Sequence, residues 1–449
     1  MRAVETARGE DALLRAGPAK ARPRIVRGEG VWLWDDAGRR YLDGIGGIHV
    51  NSIGHGVVEV ADAIARQARD VAFAFSMHFT TGVQLELADR VAAMAPDGMG
   101  RARVHFVSGG SEATEVALQV ARQYHLARGN GSKWRAIGRW HSYHGSSVGA
   151  MSVTGHLGRR RDYQPYLLNF PHISPPCGAR CRLGHPDASA CSACAEELAV
   201  TIEREGPDTI AAFFTEPVVG TTAGALVPPP GYYERIREIC DRYDVLFVAD
   251  EVITGFGRTG RNFGIEHWAA APDMITSAKG LSSGYAPIGA VIAAERVADE
   301  LNRGRPDGYF VGYTFSGNPV SCAAALAVQD YLAKHKLVER SATIGGYLKA
   351  KLATLAERHG AVGEVRGLGT LLGIELVADR ATYVPFPRRE HVQERVVAAA
   401  LERGLAIVGG TGRGHGPEGD HLLVTPPFVI SESECDQLVA MLDEALTAI

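Results

Sequence analysis

The sequence predicts an α/β fold, with a large domain on a mostly parallel sheet and a smaller α+β domain after it. Three observations carry this. From about residue 103, short apolar runs alternate with helix-length segments, the rhythm of strands joined by helical crossovers. From about residue 319 the texture shifts to long helices separated by short strand candidates. The length, 449 residues, suits two or three domains at about 150 residues each.

Taken in order, residues 1–24 form a polar lead-in. The apolar pairs of 31–34 and 41–42, split by Asp35-Asp36-Ala37-Gly38, predict a β-hairpin. Apolar residues recur at helical spacing over 59–71 and 84–94. A strand over 104–107 runs through Ser108-Gly109-Gly110-Ser111 into an Ala-rich helix reaching about 128. Further strands are expected at 210–214, 245–249, 274–276 and 288–294, with a helix over 232–243. Helices are then expected over 320–335 and 344–359, a strand over 369–376 and a helix over 391–403. Short strands at 405–408 and 422–425 and a helix after Ser431 complete the chain. The expected organisation is an N-terminal segment, 1–74, packing with the small domain. A large domain follows over 75–330, carrying a Cys-rich insertion at 171–195, and then the small domain over 331–449.

Composition narrows the function. Hydrophobic residues make up 46% and charged residues 22%, as in ordinary globular proteins. A net charge of −4 gives no electrostatic case for nucleic acid or an anionic membrane. No apolar run reaches the ~18 residues needed to span a bilayer, and the N-terminus has no apolar core of a secretion signal. The cytoplasm is the expected compartment.

In an open α/β sheet, ligands bind at the carboxyl ends of the strands. The reactive residues expected there are Gly109-Gly110-Ser111, Glu216, Asp250 and Lys279. Glycines opening onto a helix can hold a phosphate with backbone N–H groups. The loop lacks the Gly-Lys-Ser/Thr of a nucleotide-binding P-loop and the G-x-G-x-x-G of a dinucleotide site. An amine, a carboxylate and a phosphate loop together suit pyridoxal phosphate, which needs a lysine for its Schiff base and a carboxylate for its pyridine nitrogen. The chain has only seven lysines, and between Trp134 and Ala333 Lys279 is the sole one.

The motifs support a specific resemblance. They are Tyr41-Leu42-Asp43-Gly44, Ser108-Gly109-Gly110-Ser111-Glu112-Ala113, Trp140-His141-Ser142-Tyr143-His144-Gly145, Thr215-Glu216-Pro217-Val218, the run Ala249 to Gly260, Ser277-Ala278-Lys279-Gly280 and Tyr313-Thr314-Phe315-Ser316-Gly317-Asn318-Pro319. In this order and spacing the chain resembles a class III aminotransferase, a fold-type-I pyridoxal-phosphate enzyme, most similar to the amine:pyruvate or ω-transaminase branch. The resemblance covers about Gly30 to the C-terminus. It implies that 75–330 binds the cofactor. It also implies transfer of an amino group from an amine or ω-amino acid to pyruvate or 2-oxoglutarate, in two half-reactions through a Lys279 aldimine and pyridoxamine phosphate. Lys279 would carry the proton, Asp250 would pair with the ring nitrogen, and Val252 and Tyr143 would pack on its two faces. Gly110 and Ser111 would bind phosphate, Thr314 would reach it from the second subunit of a homodimer, and Glu216 would order the hydroxyl side. A lyase, a decarboxylating transaminase or an aminomutase on the same scaffold is the alternative.

Beside these roles stand plainer ones: a packed aromatic for Tyr143, a turn residue for Glu216. Arg413, in a Gly-rich loop before Pro426-Pro427, is a candidate carboxylate grip or a solvated arginine. Thr221 stands where GABA and ornithine transaminases carry a second glutamate, which argues against those substrates. His49 stands where amine transaminases often place a pocket tryptophan; it either polarises the pocket or is a packed ring. Cys177, Cys181, Cys191 and Cys194 have a spacing that suits structural zinc, with free thiols, a disulfide pair or an iron–sulfur cluster as alternatives. Cys240, Cys322 and Cys435 are expected to be buried thiols.

Overall fold

The computed structural model describes residues 22–176, 194–308, 311–412 and 419–449. The lead-in up to 21, three of the four clustered cysteines (Cys177, Cys181 and Cys191) and Arg413 lie outside these ranges.

The chain enters through β1 (Ile25–Glu29), β2 (Trp32–Asp35) and β3 (Arg40–Asp43). Asp35 makes the β2–β3 turn, its Oδ1 accepting the N–H of Ala37 (3.0 Å) and of Arg39 (2.9 Å), with Gly38 at φ +80°. Then follow β4 (Arg103–Val107), β5 (Arg135–Arg139), β6 (His172–Ile173), β7 (Ile210–Thr215), β8 (Leu246–Asp250), β9 (Met274–Ser277) and β10 (Gly289–Ala293). The last part contributes β11 (Val362–Leu368), β12 (Leu371–Leu376), β13 (Leu405–Ala406), β14 (Val408–Thr411) and β15 (Asp420–Val424).

Seven strands form the large sheet in the order β4-β10-β9-β8-β7-β5-β6. Only β10 runs against its neighbours; β9, β8, β7, β5 and β6 pair in parallel. Side-chain alternation divides the central strands between two cores. Phe213, Phe247, Ala249 and Ile275 pack on one face with the helices Gly82–Ala93, Glu196–Glu205 and Tyr232–Tyr243. Ala212, Phe214, Leu246, Val248 and Met274 pack on the other with the helix Gly110–Ala127. Burial on both faces is what makes these strands read as unbroken apolar runs.

A second sheet, β11-β12-β15-β14, is antiparallel throughout. It shares a core with the helices Leu337–Ala353, Val392–Glu402 and Glu432–Leu446. A third sheet, β1-β2-β3-β13, pairs the start of the chain with its end, Leu42 opposite Leu405.

Three elements depart from the sequence reading. The strand expected over 369–376 is the second arm of a hairpin: Gly369-Thr370 is the turn and β11 the first arm. The run 405–408 is divided between two sheets, as β13 and the start of β14. β5 went unread because arginines bound it at Arg135 and Arg139 and a glycine interrupts it. Arg139 is nevertheless fully buried, its guanidinium donating to the Glu216 carbonyl (2.6 Å) and to Tyr233 Oη (3.4 Å).

Candidate active site

Parallel strands deliver the site residues. β7 ends in Thr215 before Glu216, β8 ends in Asp250, and β9 ends in Ser277 before Ala278-Lys279. Because Asp250 pairs with Thr276 across the β8–β9 ladder, the carboxylate and the lysine emerge side by side. They line a cavity of about 190 Å³ together with Gly110, Ser111, Tyr143, Glu216 and Val252. All seven cofactor contacts expected on this protomer therefore converge, Lys279 and Asp250 included. Thr314 does not join them: it is exposed, in a turn where Ser316 Oγ accepts the N–H of Tyr313 (3.0 Å).

At the phosphate end, the helix Gly110–Ala127 begins at Gly110, and Glu112 accepts the N–H of Ser108 (2.8 Å). A Cβ at Gly110 would sit 3.0 Å from Val252 Cγ1, so the glycine keeps the helix end close to the opposite wall. Ser111 Oγ accepts the N–H of Ser146 (3.1 Å).

Asp250 is 3% exposed, and both its oxygens are held. Oδ1 accepts the N–H of Val252 (3.0 Å), and Nδ1 of the buried His144 donates to Oδ2 (2.6 Å). His144 Nε2 is buried without a hydrogen-bond partner. The sequence reading assigned Tyr143 and passed over His144. Its position in the same loop was the available signal, but only the fold brings it to Asp250.

Glu216 accepts the N–H of Tyr143 (2.8 Å) on one oxygen and that of Gly220 (2.9 Å) on the other. Burial pushes its carboxyl above the ordinary glutamate value. Lys279 is also buried, which lowers its amine to about 8 although Asp250 and Glu216 pull the other way. Its backbone φ is +30°, a strained conformation for a side-chain-bearing residue.

His49 closes a second strained segment. The four-residue turn Gly46–His49 is left-handed, with φ between +54° and +67° at each position. His49 is 1% exposed and wedged between two hydroxyls, Nδ1 to Thr425 (2.8 Å) and Nε2 to Thr221 (2.9 Å). Burial, reinforced by the charges of Lys279 and Arg258, keeps the ring well below the usual histidine range and hence neutral. Behind it Arg258, also overlooked in the sequence, is buried. Its guanidinium donates to the carbonyls of Asn51 (2.9 Å), Thr425 (3.2 Å) and Pro426 (2.8 Å). Neither His49 nor Arg258 lines the cavity; around them residues from both ends of the chain meet.

The expected zinc site finds no support. Cys194 is 2% exposed and belongs to the core cluster with Leu198 and Tyr232, and the other three clustered cysteines lie outside the described residues. Among the described residues no group of three histidine, cysteine or carboxylate ligands converges. Cys240, Cys322 and Cys435 are buried free thiols. Among the described residues, too, no helix is long and apolar enough to cross a membrane.

Comparison with known proteins agrees with this geometry. The family described as aminotransferase class-III matches residues 17–446. The uncharacterized aminotransferase YodT of Bacillus subtilis is 38% identical over 97% of this chain and 98% of its own. The putrescine–pyruvate aminotransferase of Pseudomonas aeruginosa is 36% identical, covering 94% and 90%. The taurine–pyruvate aminotransferase of Bilophila wadsworthia is 35% identical, covering 94% and 92%. Among solved structures, an amine transaminase from an uncultivated Pseudomonas species in its PLP-bound, internal-aldimine form superposes with a TM-score of 0.90. Its identity is 35%, over 98% of this chain and 99% of that one. A thermostable (S)-enantioselective ω-transaminase from Thermomicrobium roseum gives 0.89 at 37% identity, over 97% and 96%.

Proposed function

The chain belongs to the class III aminotransferases, and from that premise we propose that it holds pyridoxal 5′-phosphate on Lys279. It would then transfer an amino group from an amine or ω-amino acid to pyruvate or 2-oxoglutarate. The carrying observation is the meeting of Glu216, Asp250 and Lys279, from successive strand ends, in one cavity that opens on the N-terminus of the helix Gly110–Ala127. These residues fit the group: a buried amine, a buried carboxylate that His144 orients, and a helix end narrowed to glycine. When bound, pyridoxal phosphate supplies the electron sink for charge developing on the substrate carbon.

The chain's own residues do the rest. Gly110 and Ser111 hold the phosphate at the helix end. Asp250, oriented by His144 and the Val252 N–H, holds a proton on the ring nitrogen. Tyr143 and Val252 fix the plane of the ring, and Glu216 orders the Tyr143 backbone that carries the upper wall. An amine lowered to about 8 lets Lys279 both give and take the substrate proton near neutrality.

We further assign a homodimer in which the partner's Thr314 reaches the phosphate. Thr314 is exposed beside Phe315 (59%), and the neighbouring stretch presents Phe73, Phe75, Met77 and Phe79, a run of exposed apolar side chains suited to a second copy. Residues 75–330 are assigned as the cofactor-binding domain, 331–449 as the small domain and 1–74 as the segment packing with it, in a cytoplasmic enzyme. The test is a donor-and-acceptor screen that follows pyridoxamine phosphate formation. Lys279→Ala is expected to abolish the visible absorbance of the lysine-bound cofactor; a yellow, fully active variant refutes the assignment.

A further inference from the structure

The loop from Asp250 to Ile265 leaves β8 at one wall of the cavity and is tied shut at its base by one side chain. Asp250, Val252 and Ile253 line the cavity; Glu251, between them in the chain, does not. It is fully buried instead. Its N–H donates to the Thr276 carbonyl (2.8 Å), and its own carbonyl accepts the Gly255 N–H (2.9 Å). Its carboxylate takes three donors. Oε2 accepts the Thr254 hydroxyl and the Gly264 N–H (2.8 Å), and Oε1 accepts the Ile265 N–H (2.7 Å). Residues 13 and 14 positions further along are thus fastened to the first turn of the loop. That turn carries two parts of the site: the Val252 side chain, and the Val252 N–H that Asp250 Oδ1 accepts. It also backs the lysine. A Cβ at Gly280, next after Lys279, would sit 3.0 Å from the Gly255 carbonyl oxygen and 3.3 Å from Phe256 Cβ, so the two turns meet closely.

A carboxylate buried without a cation weakens the fold, so the value of this one lies in what it holds in place. Among the described residues no cation pairs with Glu251. The ionisable groups that share its surroundings are Glu266, on the short helix Gly264–His267, and Tyr233, on the helix Tyr232–Tyr243. Burial, with the Glu266 charge adding to it, pushes the Glu251 carboxyl up to about 7. Both oxygens accept from backbone N–H groups, so a proton on either one weakens a bond that closes the loop. We propose that Glu251 is a positioning residue for amino transfer: ionised, it fastens the loop and sets Val252, Asp250 and the Lys279 turn; protonated, it lets the loop slacken and the reaction slow. The inference rests on the amino-transfer reading above. Glu251 acts through Thr254, Val252 and Gly255, and touches no reacting group itself.

The test follows single-turnover discharge of the visible cofactor band by one amine donor, on the holoenzyme, from about pH 5.5 to about pH 8.5. Wild type, Glu251→Gln and Thr254→Val are compared. Glu251→Gln copies the protonated form at every pH, so dividing each rate by its rate cancels the titration of the donor and of Lys279. The wild-type quotient is expected to climb from about 1 to about 10, the scale of one charge-assisted hydrogen bond. Its midpoint should lie near the Glu251 value of about 7. Thr254→Val removes one donor to the carboxylate, so its midpoint should lie about one unit higher. Hydrogen exchange of the cofactor-free protein gives a readout independent of turnover. Corrected for the intrinsic effect of pH, the peptide spanning Thr254 to Ile265 should open about tenfold more often in Glu251→Gln. The same opening should appear in wild type as the pH falls through about 7. A quotient that stays flat, or exchange that responds neither to pH nor to Glu251→Gln, overturns the proposal. Should Glu251→Gln not fold, the wild-type exchange profile and its shift in Thr254→Val decide the same question. Failure of the amino-transfer reading looks different: the band is discharged in none of the three proteins, while exchange still tracks Glu251.

Discussion

Replacing His144 by leucine tests what holds Asp250 in working order. The two side chains are 0% and 3% exposed and share a 2.6 Å bond, so the contact is both charge-assisted and shielded from water. Such bonds contribute about 1.5–3 kcal/mol, or roughly 10- to 150-fold in a rate or affinity that depends on them. The backbone of His144 is tied independently, its N–H to Thr154 Oγ1 (2.8 Å) and its carbonyl to Thr114 Oγ1 (2.8 Å), so the loop keeps its course without the ring. Leucine also keeps apolar bulk against Phe214, which the imidazole meets edge-on. The expected result is a folded, cofactor-binding protein whose amine half-reaction is slowed by about 10- to 150-fold. Its cofactor should also be lost faster on dialysis. His144→Asn, whose amide can still donate, should lose less. Rapid-mixing spectroscopy of the half-reaction measures all three proteins. If leucine matches wild type in rate and cofactor retention, His144 only fills space, and the argument that it orients Asp250 is wrong.

Two further outcomes follow from the same cavity. Gly110→Ala places a methyl group about 3 Å from Val252, so cofactor affinity should fall at least tenfold, read by fluorescence titration of the apoprotein, with little change in melting temperature. Lys279→Met should stabilise the apoprotein near neutral pH. The folded amine titrates at about 8 and the unfolded one near 10.5, so the unfolded chain binds more protons between those values and stability rises with pH across them. Below about pH 8 the lysine therefore costs about 3 kcal/mol. The melting advantage of the methionine variant should be largest at pH 7 and shrink by pH 9.5, and a constant advantage would contradict the sign.

Much of this site was legible because its parts are local in sequence. A strand end, a glycine pair and a helix start sit together at 104–111, and β8 delivers Asp250 as the last residue of a fully buried run. The scarcity of lysine then left Lys279 as the only lysine between Trp134 and Ala333. What escaped depends on residues far apart. His144 matters through Asp250, Arg139 is hidden in a strand because a distant carbonyl and a tyrosine receive it, and Arg258 gathers carbonyls from both chain ends. The left-handed turn at Gly46–His49 offers two glycines as a signal, but His49 is held there by tertiary bonds no local pattern records. β11 escaped for a simpler reason: its glycines and charged residues hide a strand until β12 pairs with it.

The pairing of β3 with β13 sets a timetable for the molecule's birth. Leu42 leaves the ribosome early and must wait for Leu405, His49 must wait for Thr425, and Arg258 must wait for the Pro426 carbonyl. The large sheet can assemble during synthesis, since domains generally fold as units while the chain emerges. The N-terminal hairpin can pair its own strands, but the outer edge of β3 stays unpaired until β13 arrives, an edge open to pairing with another chain. A prematurely terminated chain would therefore keep Lys279, Asp250 and Glu216 but leave β3, His49 and Arg258 without the C-terminal groups they bond.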